Sequence, residues 1–328
     1  MDGDLAARIR AARLAGTQSA SLREAGLDET GPRGRRRLLR WLGRADGTGP
    51  GGLGLSIESR RQLRLVHHRL TPASWPRDLP LRIAIIADPH TGGPQSGLQS
   101  GPERLAAAVA MANAEAPDLT VLMGDYLADH RFATGRPSFR DVADILAGLS
   151  APLGVHAVLG NHDWWECGAA QAGLRPMPEA AEAFAAAGLP IMHNEVRPLR
   201  HRGREIFLAG LGSQWAYRRG RRVQGADDLA GTLGVIPAGA PTILLAHEPD
   251  IFPEVPDSVA VTISGHTHGG QVRVFNYSPL VPSRFGNRYA YGAVEEDGRH
   301  LVVSGGIGNS MLPVRVGMPP EVTMLERA

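Results

Sequence analysis

"LRIAIIADPH", Leu81 to His90, is the stretch that decides the fold. Its first seven residues form an apolar run of strand length, interrupted only by Arg82, of the kind buried on both faces of a sheet. The run then ends in a carboxylate and an imidazole two positions apart. The same pattern recurs in "DLTVLMGD" (Asp118–Asp125), "GVHAVLGNHD" (Gly154–Asp163), "PTILLAHEP" (Pro241–Pro249) and "SVAVTISGHTH" (Ser258–His268). Each reads as a buried strand finishing in Asp, Asn or His.

Segments with helical spacing separate the first strands. "GPERLAAAVAMANAEA" (Gly101–Ala116) is built from strong helix formers and stops at Pro117. "DVADILAGL" (Asp141–Leu149) and "PEAAEAFAAAGL" (Pro178–Leu189, closed at Gly188) read the same way. Further on strands dominate, with "EIFLAGLG" (Glu205–Gly212), "QVRVF" (Gln271–Phe275) and "HLVVSGG" (His300–Gly306). Alternation followed by mostly strand predicts an α/β sandwich with mixed sheets.

The polar strand ends carry the chemistry. A Gly-Asp after a strand is usually a turn, and a lone histidine is usually a packed core or surface residue. Here five of the twelve histidines, His90, His162, His247, His266 and His268, stand at these strand ends, which makes coincidence improbable. In open α/β sheets, sites gather outside the carboxyl ends of strands. His266 and His268 alternate on an extended chain and therefore face one side. Asp, Asn and His suit Mn, Fe or Zn, with Mg also accommodated. The single cysteine, Cys167, excludes a cysteine-based zinc site and an intrachain disulfide. Seven candidate ligands exceed one tetrahedral ion's needs, so two divalent ions sharing a carboxylate are expected. Such a pocket stays electropositive and attracts phosphate. Paired ions can generate hydroxide and clamp both the attacking and leaving oxygens of a phosphoryl displacement.

Taken together, Asp88-x-His90, Gly124-Asp125, Gly160-Asn161-His162-Asp163, His247 and Gly265-His266-x-His268 resemble the signature of the calcineurin-like metallophosphoesterases, with every block present and in order. The resemblance runs from about Leu81 to Glu321. "APLGVHAVLGNHDWW", "ILLAHEPDIF", "SGHTHGGQV" and "LPVRVGMPPEV" are similar to a bacterial branch. That branch contains exported or membrane-associated phosphodiesterases and UDP-2,3-diacylglucosamine pyrophosphatase-like enzymes.

The resemblance implies a four-layer α/β/β/α sandwich of two mixed sheets flanked by helices. It also implies how the ligands divide. Asp88, His90 and His268 would hold one metal, and Asn161, His247 and His266 the other, with Asp125 bridging. His162 would stand over the phosphate, stabilising charge or protonating the leaving oxygen. Asp163 would orient the His162 imidazole by a hydrogen bond. The implied activity is hydrolysis of phosphodiester, phosphomonoester or pyrophosphate bonds, with a lipid-linked or nucleotide-linked diphosphate as the substrate the branch favours. Two departures stand out. Pro89 occupies a position where relatives often carry Leu, and Ser304-Gly305-Gly306 stands where many show an arginine before the glycine.

Competing readings are a nuclease using the same centre and a noncatalytic metal- or lipid-binding protein. Net charge is only +2, and all 35 basic residues are arginine, which looks like coding bias rather than a surface for polyanions. Nucleic acid is therefore not the expected partner, and no obligate protein partner is inferred. Residues 1–62 read as a basic leader and residues 63–328 as the catalytic domain. Arg35-Arg36-Arg37-Leu38-Leu39 has a twin-arginine flavour. Gly43-Arg44-Ala45-Asp46-Gly47 follows it where an export signal needs an apolar segment. The expected location is cytoplasmic or peripheral to the inner membrane, with the leader able to touch anionic lipid. "YRRGRR" (Tyr217–Arg222) and "SRFGNRYAYG" (Ser283–Gly292) are candidate substrate-side walls or plain loops. Trp164 and Trp165 are core or rim aromatics.

Overall fold

Period-two alternation in Leu81–Ile86 sorts its side chains to opposite faces, and each face finds a different partner. Ile83 and Ile85 join one core cluster, with Ile206, Leu208, Ile243, Leu245 and Ile263. Ala84 and Ile86 join another, with Leu105, Ala108, Val142, Leu146 and Phe184. The first is the interior between two sheets. The second seals helices onto the outer face.

The computed structural model describes residues 63–93, 101–128, 135–220, 222–310 and 314–327. The expected leader over residues 1–62 lies outside them. In chain order the elements are β1 (Arg64–Leu70), β2 (Leu81–Ile86), α1 (Pro102–Ala114), β3 (Leu119–Leu122), α2 (Phe139–Leu146) and β4 (Val155–Ala157). Then follow short helices α3 (Asn161–Trp165) and α4 (Gly168–Gln171), α5 (Glu179–Ala186), β5 (Glu195–His201), β6 (Arg204–Gly210) and a hairpin of β7 (Tyr217–Arg219) and β8 (Arg222–Gln224). The chain continues through α6 (Leu229–Leu233), β9 (Thr242–Leu245), β10 (Val259–Ser264), β11 (Gly292–Glu296), β12 (Arg299–Val303) and β13 (Glu321–Arg327).

One sheet has the order β1-β13-β2-β3-β4 and the other β11-β12-β10-β9-β6-β5. Both are mixed. Strands β2, β3 and β4 run parallel, as do β6, β9, β10 and β12, while β13 is antiparallel to β2 and β5 to β6. Helix α6 and a 3-10 segment at Pro249–Glu254 cover the outer face of the second sheet through Leu229, Leu233 and Ile251. The result is the expected α/β/β/α sandwich.

Two segments depart from the sequence reading. Gln271–Phe275 is not a strand; only isolated bridges form, at Val272 and Val274. The cause is local, because Gly269 and Gly270 turn the chain with φ of 62° and 76°. The run Gly154–Asp163 is extended only over Val155–Ala157 before bending into α3. Among the described residues no helix is long and apolar enough to cross a membrane.

Candidate metal centre

Parallel strands point their carboxyl ends the same way, and that edge of the sandwich is where the polar residues collect. Asp88 and His90 follow β2, Asp125 follows β3, Asn161 opens α3 after β4, His247 follows β9, and His266 and His268 follow β10. All seven sequence-predicted ligands are brought together and buried, none more than 4% exposed. His162 (7%) and Asp163 (1%) lie with them.

Three sets of side-chain atoms each converge within 4.8 Å: Asp88, His90 and His268; Asp125, His247 and His266; and His90, Asp125 and His162. Asp125 lies at the junction, with one carboxylate oxygen 3.2 Å from His247 Nε2 and 3.5 Å from His90 Nε2. Asp88 Oδ1 lies 3.8 Å from His268 Nε2 and 3.9 Å from His247 Nε2.

The backbone is strained where these residues sit. Twelve described non-glycine residues have positive φ, and five of them are Asp88, His90, Asp125, His266 and His268. Such conformations cost about 1–3 kcal/mol each and persist only where the surroundings enforce them. Here glycine loops do the enforcing. A Cβ on Gly160 would stand 2.2 Å from Asp125 Oδ1, and one on Gly308 2.2 Å from the Pro89 carbonyl oxygen. The Gly308 N–H donates to the Asp88 carbonyl at 2.8 Å, so the glycine-rich segment after Ser304 cradles the Asp88–His90 loop. Ser304 itself turns away to Thr323, 2.9 Å between hydroxyls.

The donor set fits a cation. Both ring nitrogens of His90, Nε2 of His247, His266 and His268, and both amide atoms of Asn161 are buried without a hydrogen-bond partner. Each such atom costs about 1–3 kcal/mol if nothing satisfies it, and ions at their meeting points would satisfy the imidazole lone pairs and Asn161 Oδ1, though not the Asn161 NH2, which needs an acceptor. Burial pushes His266 down to about 3, helped by the positive His247, and pushes His268 well below the usual range, helped by His90 and Arg315. Their imidazoles are therefore neutral and offer lone pairs. Burial would raise Asp125, but His247 and His162 outweigh it and hold the carboxylate well below its usual range. Burial drives Asp88 up to about 6, the imidazolium of His247 opposing it.

A surrounding layer fixes the ligands. His247 Nδ1–H donates to the Met123 carbonyl, which aims Nε2 at the centre. The His266 N–H donates to both Asp88 oxygens at 2.9 and 3.0 Å, and the His162 N–H to Asp125 Oδ1 at 2.9 Å. The Asp163 carboxylate accepts the backbone N–H groups of Gly160, Asp125 and Tyr126, all at 2.9 Å, and so ties two ligand loops together. The reason is geometric: at the third position of α3 its side chain reaches back over its own N-terminus.

Three contributors escaped the sequence reading. Glu248 is fully buried and accepts from Ser213 Oγ and the N–H groups of Gln214 and Trp215. Trp215 in turn lies edge-on to His266, centroids 4.8 Å apart. Arg315, also fully buried, donates to the carbonyls of Gly308 and Met318 and lies 3.2 Å from His268 Nδ1. The quoted runs "ILLAHEPDIF" and "LPVRVGMPPEV" held two of the three, as a carboxylate beside a ligand and an arginine among apolar residues. The two tryptophans after His162 divide: Trp164 is core, and Trp165 meets His162 edge-on at 4.9 Å with Arg218 stacked 3.7 Å over it.

An Asp/His/Asn cluster at the strand ends of an α/β/β/α sandwich belongs to metal-dependent phosphoester hydrolases, and this protein is one. It is a member of the calcineurin-like phosphoesterase family, whose model matches residues 81–270. It is 30% identical over 224 residues to the uncharacterized metallophosphoesterase YkuE of Bacillus subtilis strain 168, covering 68% of this chain and 72% of that protein. It is 29% identical over 271 residues to the phosphodiesterase YaeI of Escherichia coli strain K12, covering 80% and 87%. A Danio rerio relative called a transmembrane protein with metallophosphoesterase domain is 27% identical over 253 residues, covering 74% of this chain and 52% of its own length.

Proposed function

We propose that residues 63–328 form a catalytic domain, preceded by a basic leader, that hydrolyses phosphodiester, phosphomonoester or pyrophosphate bonds at a dinuclear centre. Asp88, His90 and His268 would hold one divalent ion. Asn161, His247 and His266 would hold the other, with Asp125 shared between them. The observation that carries this reading is the pair of triads, Asp88–His90–His268 and Asp125–His247–His266, linked where an Asp125 oxygen lies 3.5 Å from His90 Nε2, each with buried ring nitrogens that no hydrogen bond satisfies. Mn, Fe or Zn suits the donor set, and Mg is accommodated. When bound, such ions would neutralise charge on the phosphoryl and leaving oxygens and supply an activated water.

The chain's own residues do the rest. His162 is anchored through its N–H to Asp125, and its ring packs edge-on against His90 and Trp165. From there it donates a proton to the leaving oxygen or stabilises charge on the phosphate. Asp163, Glu248 and Arg315 hold the loops in register without touching substrate. A lipid-linked or nucleotide-linked diphosphate is the substrate class we favour, on the similarity of "SGHTHGGQV" and "LPVRVGMPPEV" to the bacterial branch.

The test is a substrate panel on the purified chain loaded with Mn, Zn or Mg: p-nitrophenyl mono- and diesters, a sugar-nucleotide diphosphate lipid and cyclic nucleotides, with bound metal counted by elemental analysis. Two ions per chain and turnover of one ester class are expected. A chain that binds no metal after loading would end the proposal.

A further inference from the structure

Four large hydrophobic side chains are exposed among the described residues: Leu174, Val235, Phe275 and Tyr277. Three of them lie in segments that continue from residues at the candidate metal centre. Phe275 is 91% exposed and Tyr277 62%, in the loop that leaves His268. Leu174 is 82% exposed, three residues after Gln171. Gln171 binds the β7–β8 hairpin, accepting from the Arg218 N–H at 2.9 Å and from the Arg219 guanidinium at 3.0 Å. That hairpin covers Trp165 beside His162.

The Phe275 tip is built against the backbone's preference. Val274 and Tyr277 exchange N–H to carbonyl bonds at 2.9 and 3.0 Å, closing a two-residue hairpin turn. Such a turn needs positive φ at both central residues and selects Asn or Gly. Asn276 complies at φ 64°, but its neighbour is Phe275 at φ 49°. A bulky aromatic in the left-handed region with most of its ring in water gains nothing from the fold. It needs a partner outside it.

Charge identifies that partner. Arg218, Arg219 and Arg222 are exposed on the hairpin, and Arg273 stands two residues before Phe275. Arg219 lies against carbonyls and the Tyr217 ring rather than a carboxylate. Aromatic and aliphatic tips backed by arginine match an anionic lipid surface. They match a nucleic acid less well, since the Trp165 ring is already covered by Arg218 and a leucine cannot stack on a base.

We propose that the catalytic end docks on an anionic bilayer through Phe275, Tyr277 and Leu174, with the flanking arginines on lipid headgroups. The phosphoester then reaches the centre as the headgroup of an amphiphile held in that bilayer. This substrate assignment rests on the phosphoesterase reading above; the docking does not.

The full chain is sedimented with vesicles of phosphatidylglycerol and phosphatidylcholine in equal parts, and with vesicles of phosphatidylcholine alone. Binding to the anionic vesicles only is expected. In F275S/Y277S it should fall about tenfold, while hydrolysis of a soluble p-nitrophenyl diester stays at the wild-type rate. F275G separates docking from packing: it relieves the backbone strain, so the melting temperature rises while vesicle binding falls. A packing role for the ring predicts a lower melting temperature and would overturn the proposal. So would equal binding to both vesicle types, undiminished binding by F275S/Y277S (the leader alone being responsible), or release of bound protein by single-stranded DNA at matched phosphate. Vesicle binding without hydrolysis of any ester in the panel would support docking and defeat the phosphoesterase reading instead.

Discussion

The two ends of the sandwich obey different rules. At the amino end of the parallel strands, Leu70, Trp75, Leu81, Ile83, Ile243, Val261 and Leu325 line an apolar crevice between the sheets, and the hydrophobic effect alone accounts for them. At the carboxyl end, a few residues further along the same strands, carboxylates and imidazoles are buried, ring nitrogens lack partners and non-glycine residues hold positive φ. One end is folded for stability. The other stores strain and unsatisfied polarity, which a bound ion would relieve. If that contrast is right, substitutions at the carboxyl end should act on metal and turnover, and those along the strands on stability alone.

Asp125→Asn should break the contrast hardest. The substitution removes the charge at the junction of both triads, and a loss on the order of a thousandfold or more in aryl diester hydrolysis is expected, with fewer ions per chain by elemental analysis. Unchanged hydrolysis would remove Asp125 from the mechanism. His162→Ala should cost about 10²–10⁴-fold in turnover while metal content stays near that of the parent. Metal loss from that variant would make His162 a ligand.

Gly160→Ala sharpens the comparison from the backbone side. The added methyl must displace Asp125 Oδ1 or the His247 ring, 2.2 and 2.6 Å from its position. Overpacking of this kind costs about 1–3 kcal/mol. Thermal melting should show it in the chain without added metal. The melting temperature gained on adding metal should shrink too, because the same clash opens the ligand cage.

How much of this was legible beforehand follows from the same contrast. Most inner strands could be read because period-two burial on both faces leaves an unbroken apolar run, as in Leu81–Ile86 and Val259–Ser264. Three of the four edge strands of the two large sheets, and the inner β13, could not; β4, also at an edge, could. In β1 (RLVHHRL) and β5 (EVRPLRH) only one face packs, so charged residues interrupt the run and the pattern resembles loop. The seven candidate ligands were visible because each ends a readable strand. Glu248 and Arg315 were not, because their partners are backbone atoms of other loops, which no local pattern encodes. Asp163 was visible, but two of the N–H groups its carboxylate accepts, those of Asp125 and Tyr126, belong to another loop, and those bonds were not.

The smallest effect tests the contrast most finely. Ile263 is fully buried in β10, only three residues before His266. Trimming it to Val removes one methylene, worth about 0.5–1.5 kcal/mol in a packed core. The site should not register the loss. Beyond the strand, His266 is held by its N–H on both Asp88 oxygens and Gly265 by its N–H on the His247 carbonyl at 3.0 Å, both independent of the Ile263 side chain. Ile263→Val should therefore lower the melting temperature by a few degrees, with kcat and metal content per folded molecule unchanged. If kcat fell with stability, the strained carboxyl end would be drawing its geometry from core packing. The loop-to-loop hydrogen bonds would then be a consequence of the site's shape rather than its cause.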